Sequence, residues 1–411
     1  MTGSPGGRPR PGSAVGRAAA PSGLAIAAAV IVAALPAKVE AQLPEVRGYY
    51  LHAAAGMESS PFTEAGLLDF QRLRLMTGPR WGTFDLDVAY EHTLALSTDD
   101  LVLGRGFDGA EPAAPWLPLQ GDILDRRRVT WAHGLDRLSA SARVGERTRL
   151  TVGRQSISWA TALFFTPTDP FVPFDPADPF REFRAGVDAL RATVFLGPFS
   201  ELDAVVRPAE AADGGDSVTA LLRGQALLQG WEVSGWAGAL HDKPAVSAGT
   251  TGTVGETGVR LEGGLRREDG STVARGAVGV DRLFRVRDRD LHAVVEYQHD
   301  GFGAGRADEL IPTALSAPAA RGELLVLGRD AVVVNGTYDL RPLTSLGLLA
   351  VVNARDGSTL LSPTVVHSLA DEASLRVGGF AGLGPGGDGA SLRSEHGASP
   401  LVGFAAVSVF F

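Results

Sequence analysis

The chain has no cysteine among its 411 residues. This absence excludes a disulfide scaffold, a zinc-thiolate site and a cysteine nucleophile. Lysine is nearly absent too: Lys38 and Lys243 are the only two, so arginine supplies the rest of the 38 basic residues. The formal net charge of −9 is typical of neither a DNA- nor an RNA-binding surface, and no nucleic-acid partner is predicted.

Long apolar runs are confined to the N-terminus. Three arginines precede an uncharged stretch, residues 18–37. The centre of this stretch is apolar, and a proline near its end interrupts the helix. This layout predicts a secretory signal peptide over residues 1–41, cleaved between Ala41 and Gln42. An uncleaved membrane anchor is the alternative, but the dense apolar run of about 12 residues is shorter than the span of about 20 that a bilayer needs. The mature chain, 42–411, then carries 34 basic and 46 acidic residues.

Helical periodicity is missing from the mature chain, and period-two alternation replaces it. In one clear case Phe84, Leu86 and Val88 share one face, while Asp85 and Asp87 share the other. Such alternation predicts strands with one apolar and one polar face. It fits a soluble sandwich with an apolar interior, or a transmembrane barrel with an apolar exterior and a polar lumen.

The C-terminus favours the barrel. Ala405, Val407, Val409 and Phe411 fall on one face of a strand that runs to the last residue. This ending resembles the C-terminal recognition signal of bacterial outer-membrane barrels, with Phe411 as the assembly signal. We therefore predict an all-β fold, a transmembrane antiparallel β-barrel. The expected location is the bacterial outer membrane, with the lipid bilayer and the barrel-assembly machinery as partners.

The strand count is predicted from the alternating segments. Seventeen candidates lie between residues 46 and 411, including 230–240, 256–263 and 323–340. Two of the seventeen are long enough to be doubtful, so we expect about 16 strands, with a range of 14–18. A barrel of this size is wide enough for an aqueous channel.

Three long loops are predicted near 98–127, 158–186 and 300–322. The middle one contains five prolines and six phenylalanines, which predicts a stiff segment that must pack against a wall. Folded into the lumen, it would narrow the bore; a strut and a surface lid are the alternatives. The candidate pore-constriction residues are Asp169, Asp175, Asp178, Arg181 and Arg184. The spacing of the three aspartates matches no calcium-binding loop.

The stretch from Gly153-Arg-Gln155 through Trp159 and the Asp-Pro-Phe run to Gly186-Val-Asp-Ala-Leu-Arg191 resembles a group of porin-like bacterial outer-membrane β-barrels. These are loosely similar to alginate-export and other porin-type proteins. The resemblance covers about 40 residues and the two chain ends. It implies a barrel, but it assigns no residue that contacts a substrate.

A register is predicted for the first hairpin. With Pro79 and Arg80 as the two turn residues, Arg74 would face Asp85 and Arg72 would face Asp87. These four residues are the candidate lumen charge pairs. The acidic excess of the mature chain further predicts a preference for cations, provided that the loop aspartates line the bore.

No catalytic or cofactor site is indicated. The eight histidines are scattered, no Gly-x-Ser-x-Gly motif occurs, and Ser368 beside His367 would point to the opposite face of its strand. We therefore predict no enzyme, no metal and no cofactor. The predicted function is a porin-like channel for passive diffusion of small hydrophilic solutes or a small polymer. A non-conducting barrel that binds or anchors ligands through its long loops is the alternative, and a barrel hydrolase is the least favoured. The sequence leaves the oligomeric state open.

Overall fold

The computed structural model describes residues 45–98, 116–171, 180–210, 216–388 and 391–411. The predicted signal peptide lies outside these ranges, and so do Asp175 and Asp178. The domain boundary between residues 41 and 42 therefore stays a prediction.

The described chain is almost entirely strand. The strands are β1 (Val46–Met57), β2 (Gly66–Thr77), β3 (Arg80–Trp81), β4 (Phe84–Ser97), β5 (Gln120–Arg126), β6 (Val129–Val144), β7 (Thr148–Gln155), β8 (Val187–Gly197), β9 (Ser200–Glu210), β10 (Asp216–Leu228), β11 (Trp231–Leu240), β12 (Lys243–Val254), β13 (Thr257–Glu268), β14 (Ser271–Val286), β15 (Arg289–Asp300), β16 (Asp330–Arg341), β17 (Thr344–Asn353), β18 (Thr359–Ala370), β19 (Ala373–Leu383) and β20 (Val402–Phe410). Three short helical turns lie between β15 and β16, at Ala307–Glu309, Leu310–Ala314 and Ala317–Ala320. Among the residues that the structure describes, no helix is long and apolar enough to cross a membrane.

The strands close into one antiparallel barrel. Each pairs with its chain neighbours, and β20 completes the ring by pairing with β1. The two-residue strand β3 pairs with β4 in the same register as β2 does. Strand β5 is an extra strand that pairs with the end of β6. Without these two, the described residues form a barrel of 18 strands. The expected number of about 16 is wrong, although 18 is even and lies within the expected range.

The predicted number of strands is too low mainly because β12 lacks a clear alternation of apolar and polar residues. The side chains that β12 turns outward are Pro244, Val246, Ala248 and Thr250, a weakly apolar set. Their strand geometry comes from hydrogen bonding to β11 on one side and β13 on the other. Two further corrections concern segment ends: the predicted strand 323–340 begins only at Asp330, and β5 lies within the predicted loop 98–127.

The first hairpin has a different register from the predicted one. The turn lies at Gly82 and Thr83, where Gly82 has a φ of +62°, and not at Pro79 and Arg80. Partners therefore shift by six residues: Arg74 faces Glu91, Arg72 faces Thr93, and Arg80 faces Asp85. Proline lacks the N–H that a ladder needs, so Pro79 interrupts the strand between β2 and β3 rather than forming the turn. The predicted Arg74–Asp85 and Arg72–Asp87 pairs are wrong.

The two faces of the wall agree with the alternation. On β20, Phe404 and Ala406 are buried, whereas Val407, Val409 and Phe411 are exposed on the other face. On β2, the inward Arg72 and Arg74 are 4% and 2% exposed, while the outward Leu67 is 62% exposed. The buried face is thus rich in arginine and carboxylates, and the exposed face is mainly apolar.

The two ends of the barrel differ. At one end, short turns join β6 to β7, β10 to β11 and β14 to β15, and this end also holds the seam between Gly48 and Phe411. At the other end lie the long segments between β4 and β6, β7 and β8, β15 and β16, and β19 and β20. At the seam, Gly48 N–H donates to the Phe411 carbonyl at 2.8 Å and Phe411 N–H donates to the Gly48 carbonyl at 3.0 Å. A Cβ at Gly48 would approach the Arg74 carbonyl oxygen of β2 to 2.2 Å, so the pairing of β1 with β2 requires glycine there.

Candidate pore constriction

The segment between β7 and β8 lies against inward-facing side chains of distant strands. It leaves the wall after Gln155 and returns at Val187. Its described parts, 156–171 and 180–186, contact the inner faces of β13 and β15 at one side and of β1, β2 and β20 at the other. These contacts place both described parts of the segment inside the barrel.

Two wall carboxylates hold the first part of the segment through its backbone. Glu262 on β13 accepts N–H bonds from Thr161 at 2.8 Å, Ala162 at 3.1 Å and Thr168 at 3.2 Å. Such bonds to a charged acceptor are stronger than bonds between neutral groups. The backbone of an irregular segment has no ladder partner, so these bonds satisfy donors that would otherwise be buried and unpaired.

Glu296 on β15 binds the next residues in the same way. Its Oε1 accepts from Leu163 N–H at 2.7 Å, and Phe164 N–H donates to Oε2 at 2.7 Å and, more weakly, to Oε1 at 3.2 Å. Glu296 is 1% exposed. Phe165 follows and is buried in a cluster with Val333 and Val351, which belong to β16 and β17. The segment thus reaches well around the inner wall from its attachment points.

The second part of the segment is held by aromatic contacts. Phe180 packs between Phe70 and Phe404, with ring centroids 6.4 and 5.2 Å away. Phe183 stacks on Tyr49 at 6.0 Å, and the Arg74 guanidinium lies 4.6 Å from the centre of the Phe183 ring. Burying Phe180 and partly covering Phe183 removes apolar surface from water, which stabilises this described part of the segment.

Polar bonds fix the return of the segment to β8. Arg72 donates to the Phe180 carbonyl oxygen at 2.8 Å, and Gly186 N–H donates to Asp136 at 2.9 Å. Asp136 is also paired with Arg74 and Arg137, each at 2.6 Å. The predicted lumen residues Arg72 and Arg74 therefore do face inward, and their role is to hold the segment.

Asp169 is part of the internal packing of the segment. It accepts from Ser158 Oγ at 2.9 Å and is paired with Arg184 at 3.2 Å. Its side chain has no exposed surface. Burial raises the pKa of Asp169 to about 6, against the opposing effect of the Arg184 charge. The carboxylate is thus not presented to the bore.

The other predicted constriction and lumen residues have varied positions. Arg181 and Arg184 are half-buried. Asp85 lies 3.3 Å from Arg80 and 3.9 Å from Arg149, and Asp87 is exposed. The structure thus brings together Asp169 and Arg184 from the predicted set. It does not bring the hairpin charges into the predicted pairs.

The segment between β15 and β16 also packs on inward-facing charge. Glu323 is paired with Arg266 at 2.9 Å and lies 3.7 Å from Arg275. Burial by itself raises the pKa of Glu323, but these arginines and Arg321 outweigh it and lower the pKa to about 2. Burial lowers the pKa of the neighbouring His241 to about 4, so this histidine is neutral at pH 7. The third long loop is therefore held at the rim by a charge cluster.

The residues that hold the 156–186 segment were not singled out from the sequence as its anchors. Glu262 and Glu296 are polar positions of strands β13 and β15. Nothing local distinguishes them from the other acids that face the lumen. Over the described ranges, no group of three or more His, Asp and Glu side chains could hold a metal ion.

Comparison with protein-family models and with curated proteins gave no match. Solved structures are similar over nearly the whole chain. A BenF-like porin from Pseudomonas fluorescens Pf-5 matches 90% of this chain and 99% of its own, with 11% identity and a TM-score of 0.55. Acinetobacter baumannii OccAB4 matches 90% and 99%, with 11% identity and a TM-score of 0.54. Pseudomonas aeruginosa OccD3 (OpdP) matches 90% and 91%, also with 11% identity and a TM-score of 0.54. The chain thus has the fold of porin-like outer-membrane barrels, as the sequence resemblance implied.

Proposed function

We propose that this chain is a bacterial outer-membrane channel for passive diffusion of small hydrophilic solutes or a small polymer. The observation that carries the proposal is the 156–186 segment, which is seated on inward-facing wall side chains. In a barrel this wide, such a segment narrows an aqueous lumen without replacing it by a packed core.

The membrane location rests on the outer surface. Large apolar side chains such as Leu222, Leu265 and Leu348 are each more than half exposed on outward faces. A soluble protein rarely leaves so much contiguous apolar surface in water, whereas a lipid-facing band requires it. Phe199, Phe284 and Phe411 are exposed at the short-turn end, where a membrane barrel carries an aromatic girdle. That end would face the periplasm and the long segments would face outward.

The channel function rests on the lumen. Its wall carries arginines paired with carboxylates, for example Arg191 with Asp203 at 2.6 Å and Arg275 with Asp300 at 2.7 Å. A polar, charged lumen favours hydrophilic solutes. The structural neighbours include a protein called a porin, which supports the same function by analogy of fold.

We expect weak ion selectivity rather than the cation preference suggested by the acidic excess. Asp169 is buried, and the oxygens of Glu262 and Glu296 are occupied by backbone N–H groups. Some of the charged side chains that remain partly exposed occur as opposite-sign neighbours, such as Arg376 with Glu182 at 3.9 Å. Paired charges produce a smaller field than an unpaired excess of one sign.

Single-channel recording in a planar bilayer tests the proposal. We expect discrete conductance steps and a reversal potential near zero in a salt gradient. Absence of conductance from correctly folded barrel would favour the anchoring alternative. Separately, mass spectrometry of membrane-extracted protein checks the predicted mature N-terminus at Gln42.

A further inference from the structure

Three aromatic rings meet on the inner wall where β20 pairs with β1. Tyr49 on β1 and Phe410 on β20 are strand partners, and their ring centroids are 5.9 Å apart. Phe183, from the segment between β7 and β8, stacks on Tyr49 with an angle of 20° between the ring planes. We refer to Phe183, Tyr49 and Phe410 as the lumen aromatic row. Because Phe410 directly precedes the seam at the short-turn end, the row leads from the 156–186 segment toward that end.

The two outer rings of the row are open to the bore. Tyr49 is 1% exposed, because its neighbours cover it, whereas Phe183 and Phe410 are each 38% exposed. Phe410 shares one face of β20 with Phe404 and Ala406, which are buried on the inner side of the wall. Since side chains two positions apart on a strand point the same way, the open surface of Phe410 faces the lumen and not the lipid.

Packing alone does not account for these open rings. Phe70, Phe180 and Phe404 form a neighbouring aromatic cluster on the same wall, and each of them is almost completely buried. A ring that only fills space is covered in this way. Phe183 and Phe410 instead keep apolar faces in contact with a polar lumen, and a few polar groups beside apolar ring faces are the usual composition of a ligand site.

Two ion pairs supply such polar groups beside the row. Arg74 on β2, whose guanidinium lies 4.6 Å from the centre of the Phe183 ring, is paired with Glu91 on β4. Glu182 lies 3.9 Å from Arg376 on β19. The side chains of Glu91, Glu182 and Arg376 are each partly exposed. The formal charges of the two pairs sum to zero, yet both hydrogen-bond acceptors and a donor remain accessible from the bore.

We propose that the lumen aromatic row, together with Glu91, Glu182 and Arg376, binds a neutral sugar ring. This inference rests on the proposed channel function. The C–H bonds on one face of a pyranose carry partial positive charge and pack against the negative face of an aromatic ring. The hydroxyl groups around the pyranose both donate and accept hydrogen bonds, so open carboxylates and an open guanidinium suit them.

The charges beside the row separate a sugar from other solutes that have an apolar face. An aromatic carboxylate would meet the acids Glu91 and Glu182, and an organic cation would meet Arg376 and the guanidinium of Arg74. Paired charges give little net attraction to either ion. A neutral ring with hydroxyl groups meets no like charge. Two separate ring faces also favour passage, because weak binding at more than one position lets a solute both enter and leave.

Two variants that remove a flat ring test the proposal. Phe183→Leu and Phe410→Leu keep an apolar side chain at each position. Titration calorimetry with maltotriose, a neutral glucose oligosaccharide, measures binding to folded barrel in detergent. We expect saturable binding by the wild type and a Kd about fivefold higher for each variant, since ring stacking contributes roughly that factor. Phe410 lies outside the 156–186 segment, so its variant tests the row even where Phe183→Leu loosens the segment.

The matched control is Phe195→Leu. Phe195 also points into the bore near the short-turn end and is 40% exposed, but it lies on β8, away from the lumen aromatic row. We expect this variant to keep the wild-type Kd for maltotriose. An equal loss of affinity in this control would overturn the proposal. Absence of saturable binding by the wild type would overturn it too, as would binding of benzoate as tight as that of maltotriose.

Conductance of the same preparations, recorded without sugar, separates this proposal from the proposed channel function. Conducting barrels that do not bind maltotriose would count against the lumen aromatic row alone. A folded barrel that binds maltotriose but does not conduct would count against the channel.

Discussion

The wall carboxylate of Glu296 should set how firmly the 156–186 segment is seated, and Glu296→Gln probes this directly. The substitution keeps one oxygen to accept the Leu163 N–H and places an NH₂ group opposite the Phe164 N–H. One of the two bonds at 2.7 Å is then lost and the other loses its charge. Phe164 N–H then keeps only its longer bond of 3.2 Å to the remaining oxygen. Because a hydrogen bond to a charged group contributes about 1.5–3 kcal/mol and one between neutral groups about half as much, losing one bond and the charge on the other should weaken the seat by about 3 kcal/mol.

A change of about 3 kcal/mol corresponds to roughly a hundredfold change in the ratio of seated to released segment. Hydrogen exchange should show this as a loss of protection of up to that factor at the amides of Leu163 and Phe164. Single-channel records should show brief excursions to higher conductance, because a released segment no longer narrows the lumen.

The matched control is Glu201→Gln. Glu201 is also a wall acid, but its carboxylate is paired with Arg223 at 3.3 Å and is not a hydrogen-bond acceptor for the described parts of the segment. We expect this variant to keep the wild-type protection of both amides and to show no excursions to higher conductance. Equal protection of Leu163 and Phe164 in both variants would refute the idea that the carboxylate holds the segment.

Four further predictions concern charged side chains and the seam. The pKa of Asp169 is raised to about 6, so the ionised carboxylate destabilises the seated segment above about pH 6. Protonation removes this cost, up to roughly 3 kcal/mol, as the pH falls from 6 toward 4. Single-channel records should therefore show fewer excursions to higher conductance at pH 5 than at pH 7, and Asp169→Asn should remove the difference. Arg74→Gln removes the ion pair with Glu91 and one of the two arginine partners of Asp136, which keeps Arg137, and should cost about 1.5–3 kcal/mol, seen as a lower midpoint of heat-induced gel-mobility change. Arg80→Gln, at a side chain that is 83% exposed, should change stability by less than about 1 kcal/mol. Deleting Phe411 removes both backbone bonds to Gly48 and should lower the yield of heat-modifiable barrel, so a normal yield would contradict its role in closure.

The faces of the strands could be predicted from the sequence because they depend on a local period of two. Asp85 and Asp87 were assigned to the lumen side together with Arg72 and Arg74, and the structure keeps that assignment although the register moves by six residues. An even shift leaves each side chain on its original face. The closing strand was also predictable, because its apolar face and its terminal aromatic residue lie within one short stretch of sequence.

The sequence by itself determined an all-β barrel with an apolar exterior, a polar lumen and a stiff aromatic segment that must be covered. Tertiary structure alone decided that β12 is a strand, which charges are paired, and where the segment is seated. The physical reason is the separation along the chain: Phe164 and Glu296 are 132 positions apart, and β12 is fixed by the ladders on both sides. Such contacts depend on barrel closure, which brings distant strands to one lumen, and no local pattern of residues encodes them.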